Sequence, residues 1–286
     1  MGVVVTYYPD KTIKENIGSY IGSVNELVVI DNTPGGSAVL KELFPAGDPA
    51  LILVHNGLNR GIAAALNQGA EIAREKGYRW ILTMDQDSSF SDGRFFEEFN
   101  RFKAGNVAVI APRNNAANHP PDPLKNPVTQ PPMVMTSGSM VNLAVWEEIS
   151  GFNDQLFIDE VDHDYCLRAL LKNYRIIQLN TATLSHHLGH HKLIGFPGVK
   201  RCIHFHSPER TYYIFRNNCY MFKTYSAAFS KLMKKRKAIL LRDLLIILLF
   251  SSARLRHIRY AAMGIRDFRR NRYGQIPVKS DPRPQQ

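Results

Sequence analysis

Short β-branched runs alternate with a helical stripe through the first hundred residues, and that alternation narrows the fold more than any other feature of the chain. Residues 2–7, 26–31, 51–55, 80–84 and 107–111 read as strands. Between the third and fourth, Ile62, Leu66, Gly69 and Ala73 fall on one face of a helix that runs to Lys76. Such alternation predicts an α/β fold, a mostly parallel sheet with helices on both faces. Ligands of these sheets collect at the carboxyl ends of the strands. Asp31 ends the second run and Asp85 follows the fourth, so both are expected to face one crevice.

Composition keeps the chain in the globular class. With 286 residues and 44% hydrophobic content, it is predicted to form a domain over residues 1–200 and a helical extension over 201–286. Cys166, Cys202 and Cys219 are odd in number and lack Cys-x-x-Cys spacing, which argues against a disulfide framework or a thiolate zinc site and fits a reducing cytosol. No signal peptide is expected ahead of the first strand-like run. The longest apolar stretch, residues 244–250, falls far short of the ~20 residues that span a bilayer. The net charge of +11 is unevenly spread: thirteen of the 36 Lys and Arg lie between Lys231 and Arg272, with only Asp243 and Asp267 of the 25 acids. Those cations flank the Leu- and Ile-rich residues 238–250. An apolar body with cationic shoulders is expected to lie on an anionic membrane surface, which makes the protein cytoplasmic and peripheral at the inner face of the cell membrane. The alternatives for residues 244–250 are packing on the first domain or in a dimer. Cations interleaved with Leu and Ile, without a recognised binding module, argue against nucleic acid as a partner.

Farther along, residues 112–132 are rich in Pro, Asn and Asp and read as a long loop able to fold over a substrate. Residues 134–141 resume strand character, residues 143–149 form a short helix, and Gly151-Phe-Asn-Asp154 makes a turn. A helix over 162–172 and a strand over 174–178 follow, and beyond about residue 200 the pattern is helical and basic.

Several groups of residues carry chemistry. Asp85-Gln86-Asp87 ends an apolar strand with two hard oxygen ligands suited to Mg²⁺ or Mn²⁺ on a diphosphate, although Asp-x-Asp also occurs in plain turns. Asn59-Arg60-Gly61 lies at a strand-to-helix passage, where backbone N–H groups and Arg60 suit ribose or phosphate; Asn59 itself reads as a helix cap, and Arg60 as the functional residue. Asp159, Glu160, Asp162 and Asp164 crowd one stretch, where like charges raise at least one pKa unless a cation intervenes; capping of the following helix is the structural alternative. His186, His187, His190 and His191 suggest a zinc site only weakly, for want of a fixed pair with a third ligand. Tyr212, Tyr213, Phe215, Tyr220 and Phe222 read as helix core.

The blocks Val5-Thr-Tyr-Tyr-Pro-Asp10, Val29-Ile-Asp-Asn32, Asn59-Arg-Gly-Ile-Ala-Ala-Ala-Leu-Asn-Gln-Gly69, Asp85-Gln-Asp87, Gly151-Phe-Asn-Asp154 and Leu156-Phe-Ile-Asp-Glu-Val-Asp-His-Asp-Tyr-Cys-Leu-Arg168 occur in an order and spacing that resemble the family 2 glycosyltransferases of the GT-A fold, and within them the bacterial rhamnosyltransferases. Similarity extends weakly to Arg210-Thr-Tyr-Tyr-Ile-Phe-Arg-Asn217. The resemblance implies that Thr6 and Tyr7 line the nucleotide and that Asp31 accepts the imide hydrogen of a uracil or thymine ring. Asp31 also reads as a turn residue. Asp85 and Asp87 would hold ribose and a divalent metal, with Asp87 the direct ligand and His186 a further contact. Asp162 would be the general base, Val161 standing where the family has Glu. Phe157, Asp159 and Ser137-Gly138 would lie near the acceptor. One base and no nucleophile imply inversion. The expected activity is metal-dependent transfer of L-rhamnose from dTDP-L-rhamnose to a hydroxyl of a cell-envelope glycan or lipid-linked oligosaccharide. The rivals are a UDP-sugar donor, nucleotidyl transfer, and a non-catalytic membrane- or glycan-binding protein.

Overall fold

The computed structural model describes residues 1–44, 50–116, 126–186, 191–196, 199–204 and 206–276. The chain divides into two units, Met1–Asn153 with Val161–His204 and Asp154–Glu160 with Phe205–Gln286.

The first unit is built on a mixed, mostly parallel sheet. β1 (Gly2–Thr6), β2 (Leu27–Asp31), β3 (Leu51–His55) and β4 (Trp80–Asp85) run parallel in the order β3-β2-β1-β4. The chain steps outward from β1 through α1 (Ile13–Gly18) to β2 and through α2 (Ala38–Leu43) to β3. It then returns over α3 (Ile62–Glu75) to place β4 on the other side of β1. Strand order therefore reverses at β1, the kind of switch point where a crevice opens at the carboxyl ends. β1 and β2 are buried along their whole length, which explains their unbroken Val and Ile runs. α3 covers them with Leu66, Ala70 and Ala73, and a Cβ on Gly69 would stand 2.2 Å from Val3 Cγ1.

Past β4 the sheet continues through β5 (Ser88–Phe90), β6 (Val107–Ala116), β7 (Val128–Thr129), β8 (Ser139–Asn142) and β9 (Arg175–His186). β8 runs antiparallel between β4 and β6, β6 and β9 are parallel, and β5 and β7 both pair antiparallel with β9. α4 (Arg94–Phe102), α5 (Leu143–Glu148) and α6 (Val161–Leu171) pack around it. The expected loop over 112–132 is shorter than predicted, because β6 runs on to Ala116 and β7 lies within it. β6 crosses Pro112 by a register shift against β9, so proline and asparagine do not end the strand. Residues 117–125 of that loop lie outside the described residues. The strand expected over 134–141 is confined to β8, and the one expected over 174–178 continues to His186. Beyond it, β10 (His191–Phe196) and β11 (Val199–His204) form a hairpin that no alternation signalled.

Among the described residues, the second unit comprises residues 154–160 with three helices, α7 (Pro208–Tyr225), α8 (Ser230–Phe250) and α9 (Arg254–Arg269). Ser207 caps α7 by accepting from the Arg210 N–H, with Pro208 at the first helical position. α7 and α9 pack so closely that a Cβ on Gly264 would stand 2.4 Å from the Tyr212 carbonyl oxygen. Tyr212, Tyr213 and Phe215 are buried, as a helix core requires. No helix among the described residues is long and apolar enough to cross a membrane.

Candidate active site

Parallel register builds the site. Thr6 lies opposite Asp31, Val5 opposite Asp85 and Asp31 opposite His55, so the chemistry-bearing residues emerge together at the carboxyl edge. Strand ends are stitched there: the Asn32 N–H donates to Thr6 O, the Asn56 N–H to Asp31 O, and the Asn56 side-chain amide to Asn32 Oδ1 at 2.9 Å. Asn32 in turn donates to Gly61 O at 3.1 Å, which fixes the entry to α3.

The Asp85–Asp87 turn straddles the switch point. Gln86, between the two acids, accepts from the Tyr7 N–H at 2.8 Å and donates to Tyr7 O at 3.2 Å, while Asn16 holds the Gln86 carbonyl at 2.9 Å. A single side chain thus joins the ends of β1 and β4. Sequence reasoning gave Gln86 no role; its signal was an amide placed between two acids. On the other flank, Ser137 Oγ accepts from the Asp85 N–H at 3.1 Å and donates to Ser88 Oγ at 2.9 Å, so Ser137 braces the turn. Tyr20 is buried behind it, its hydroxyl pushed well above the usual range by burial and then by the Asp85 charge.

Tyr7 is 41% exposed and meets Tyr8 edge to face at 4.7 Å. Burial, then Tyr8, raises its hydroxyl pKa, partly offset by a hydrogen bond from the Asn59 side chain. Asn59 does not cap α3: its Oδ1 accepts from the Gly61 N–H at 2.9 Å, and Gly61 is the cap residue, at φ +83°. Arg60 is exposed at this passage.

Asp31 has no exposed surface. Its Oδ1 accepts from the Thr6 hydroxyl at 3.3 Å and the Thr33 N–H at 2.9 Å; its Oδ2 accepts from the Ser37 N–H at 2.7 Å and faces His55 Nδ1 at 2.9 Å. Burial pushes this carboxyl upward, but hydrogen bonds from Thr33, Ser37 and His55 outweigh it and hold the pKa below the usual carboxylate value.

Asp162 occupies the first turn of α6, where its Oδ1 accepts from the His163 N–H at 2.8 Å. It shares a narrow cleft with Val134, Met135, Thr136 and Ser139. Ser137, inside that same short segment, holds Asp85 from the other side. Asp164 differs sharply: it is wholly buried and paired with Arg168 Nε at 2.8 Å. Arg168 also donates to the Ile149 and Gly151 carbonyls, at 2.5 and 2.7 Å, which makes this pair a staple of the fold. Asn67 serves the same turn, accepting from the Phe152 N–H and the Trp146 indole and donating to Phe152 O.

Phe157 and Asp159 belong to the second unit, where Phe157 stacks on Tyr213 at 5.3 Å and Asp159 pairs with Arg210 at 2.9 Å. Phe157, Asp159 and Glu160 all hold positive φ, from +63° to +66°, a conformation costly for side-chain-bearing residues. Asn217 clamps the segment by donating to the carbonyls of Leu156, Ile158 and Asp159. Buried Arg216, beneath Tyr212, Tyr213 and Tyr273, holds the Gln155 and Leu156 carbonyls, while Arg236 and Asn218 bind Glu160.

For a divalent metal, the described residues offer Asp85 and Asp87 but no group of three His, Cys, Asp or Glu side chains. Two carboxylates suit Mg²⁺ or Mn²⁺ that completes its shell with phosphate oxygens and water. Strand pairing sets the His186 backbone opposite Ser88, next to Asp87. The side chains of His186 and His191, and all of His187 and His190, lie outside the described residues.

Comparison with known proteins agrees with this architecture. The profile described as "Glycosyl transferase family 2" matches residues 3–168. The dTDP-rhamnosyl transferase RfbF of Shigella flexneri is 32% identical over 248 residues, 75% of this chain and 77% of that protein. Among solved structures, S. aureus TarS 1-349 in complex with UDP-GlcNAc superposes with a TM-score of 0.53 at 15% identity, covering 95% of this chain and 92% of that one. GalNAc-T7 with UDP, GalNAc and Mn²⁺ gives a TM-score of 0.54 at 11% identity over 65% of this chain, which spans only 43% of that enzyme. The structural likenesses establish a GT-A fold, and the sequence match establishes the family: the protein belongs to the family 2 glycosyltransferases.

Proposed function

We propose that the carboxyl edge of the first unit binds a nucleoside diphosphate sugar, most specifically dTDP-L-rhamnose, and transfers the sugar with inversion to a hydroxyl of a cell-envelope glycan or lipid-linked oligosaccharide. The observation that carries this reading is the Asp85–Asp87 turn locked across the switch point to Tyr7 by Gln86, because it presents two carboxylates beside the carboxyl end of β1. The named relative acts with a dTDP-rhamnosyl donor, and the TarS and GalNAc-T7 structures hold UDP-sugar or UDP ligands.

In this account Tyr7 lines the nucleoside, Thr6, which has no exposed surface, backs it by donating to Asp31, Arg60 meets phosphate, and Asp85 meets ribose. Asp87 and Asp85, with His186 as a further contact, would hold a divalent ion, which when bound would supply Lewis-acid neutralisation of the departing diphosphate. Asp162 takes the acceptor hydroxyl proton as that oxygen bonds to the anomeric carbon. The bond from that carbon to the phosphate oxygen breaks on the opposite face, and the electron pair leaves with the nucleotide.

The second unit supports a membrane reading. Leu241, Leu245 and Leu249 recur every four residues on α8 at 59–70% exposure, between the cations that carry the excess charge. A lipid-linked acceptor would then meet the enzyme at an anionic surface.

The test is to incubate the protein with dTDP-L-rhamnose, UDP-hexoses or GDP-sugars plus Mg²⁺ or Mn²⁺ and to identify the released nucleotide. Release of dTDP with loss of the rhamnosyl group is expected. Release of UDP alone moves the assignment to a UDP-sugar donor, and pyrophosphate formed from a sugar 1-phosphate and a nucleoside triphosphate refutes glycosyl transfer.

A further inference from the structure

Glu160 occupies a costly position for a charged residue. Its side chain is 8% exposed and its φ is +66°, while Phe157 and Asp159 earlier in the segment hold +65° and +63°, a backbone region that glycine enters freely. None of the three is glycine, so each keeps a side chain against the preference of its own backbone. α7 and α8 hold the strained segment in place. Asn217 donates to the Leu156, Ile158 and Asp159 carbonyls at 3.0, 2.7 and 2.8 Å, and Arg210 pairs with Asp159 at 2.9 Å. At the end of the segment, Glu160 Oε1 accepts from the Asn218 amide at 3.1 Å and from Arg236, which also donates to Asn218 Oδ1 at 3.4 Å. Withdrawing two charges from water adds little net stability, so a buried pair of this kind is better explained by the geometry it imposes.

That geometry is handed directly to α6. Val161 follows Glu160 as the first residue of α6, and Asp162 is the second. We propose that Glu160, pinned by Arg236 and Asn218, is a positioning residue for sugar transfer: it fixes the backbone from which α6 starts, and so the place at which the Asp162 carboxylate meets the acceptor hydroxyl. Glu160 touches no substrate and exchanges no proton in this role. The role presupposes that Asp162 is the base proposed above. Misplacing such a group by about 1 Å lowers turnover without loosening the donor, which is held at the carboxyl ends of β1 and β4. α8 then has two separable duties. Arg236, in its second turn, acts on turnover, whereas Leu245 and Leu249 lie farther along the helix and act on the membrane.

The test compares the wild type with Glu160→Gly, Glu160→Gln, Asp162→Asn and the double variant Glu160→Gly, Arg236→Leu. Turnover is read as dTDP released from dTDP-L-rhamnose with Mg²⁺ and a bacterial cell-envelope extract as acceptor, and donor affinity by calorimetry. Glu160→Gly is expected to lower turnover by about 10- to 100-fold at unchanged donor affinity. The double variant relieves the backbone and leaves neither charge of the pair without its partner, so it guards against a folding defect: it is expected to keep a cooperative melting transition and the same loss of turnover. Glu160→Gln keeps an acceptor for both donors and is expected to retain most of the turnover. A loss in Glu160→Gln as large as in Asp162→Asn would put Glu160 in the chemistry itself and overturn the positioning role. Wild-type turnover in the double variant would overturn it too. Equal turnover in Asp162→Asn and the wild type removes the base, and no release by the wild type removes the donor assignment; either takes this role with it.

Discussion

Asp162 and Asp164 sit two residues apart in one acidic stretch, yet their surroundings give them opposite work. Asp164 is buried against Arg168, whose other nitrogens hold two carbonyls, so Arg168→Ala leaves a buried charge without its ion-pair partner. The expected loss of stability is about 3–5 kcal/mol, read by chemical denaturation. Asp162→Asn is expected to leave the melting temperature unchanged and to lower turnover by about 10²–10⁴ with little change in donor affinity; retained turnover would remove Asp162 from the chemistry. Asp31 carries a pH signature. Its native pKa is depressed, so its contribution to stability is complete above the unfolded carboxylate value, about 3.9, and is lost as pH falls through the lower native value. The stability gap between wild type and Asp31→Asn, measured by denaturation at a series of pH values, is therefore expected to be largest near neutrality and to shrink below about pH 4. Motif spacing singled out Asp31, Asp85 and Asp162, because recurring chemistry leaves recurring residue types. It passed over His55 and Gln86, whose importance comes from parallel register and a turn that bring distant side chains together.

At the scale of elements, two glycines show how closely the layers approach. Gly69 lets α3 lie on β1, and Gly264 lets α9 lie on α7, where a Cβ would meet backbone rather than a movable side chain. Gly264→Ala is expected to destabilise the protein by about 1–3 kcal/mol despite its better helix propensity, read as a lowered denaturation midpoint. No loss would mean that the two helices separate easily. The parallel strands β1 to β4 and helix α3 were legible because buried strands are continuously apolar and a covering helix has a stripe. The far half of the sheet was less so. β6 and β9 run through Pro, Asn and Thr, where edge pairing and register shifts override local propensity. The left-handed run at Phe157, Asp159 and Glu160 was also invisible, since nothing in those residue types calls for positive φ. It exists because Arg216 and Asn217, sixty residues away in sequence, take up its carbonyls.

For the whole molecule, charge and exposed leucine act together. Replacing Leu245 and Leu249 by Glu is expected to reduce flotation on vesicles rich in anionic lipid while leaving turnover of a soluble acceptor intact; equal flotation would assign that face to another contact. The central claim is that Asp85 and Asp87, at the switch point of the sheet, anchor a nucleotide sugar through a divalent cation. Titrating dTDP-L-rhamnose into the wild type and Asp87→Asn, each with Mg²⁺ and with chelator, tests it most directly. The account predicts saturable, metal-dependent binding by the wild type and a loss of roughly tenfold or more, about 1.4 kcal/mol, in the variant. Binding of equal strength in both proteins, with or without metal, would contradict it.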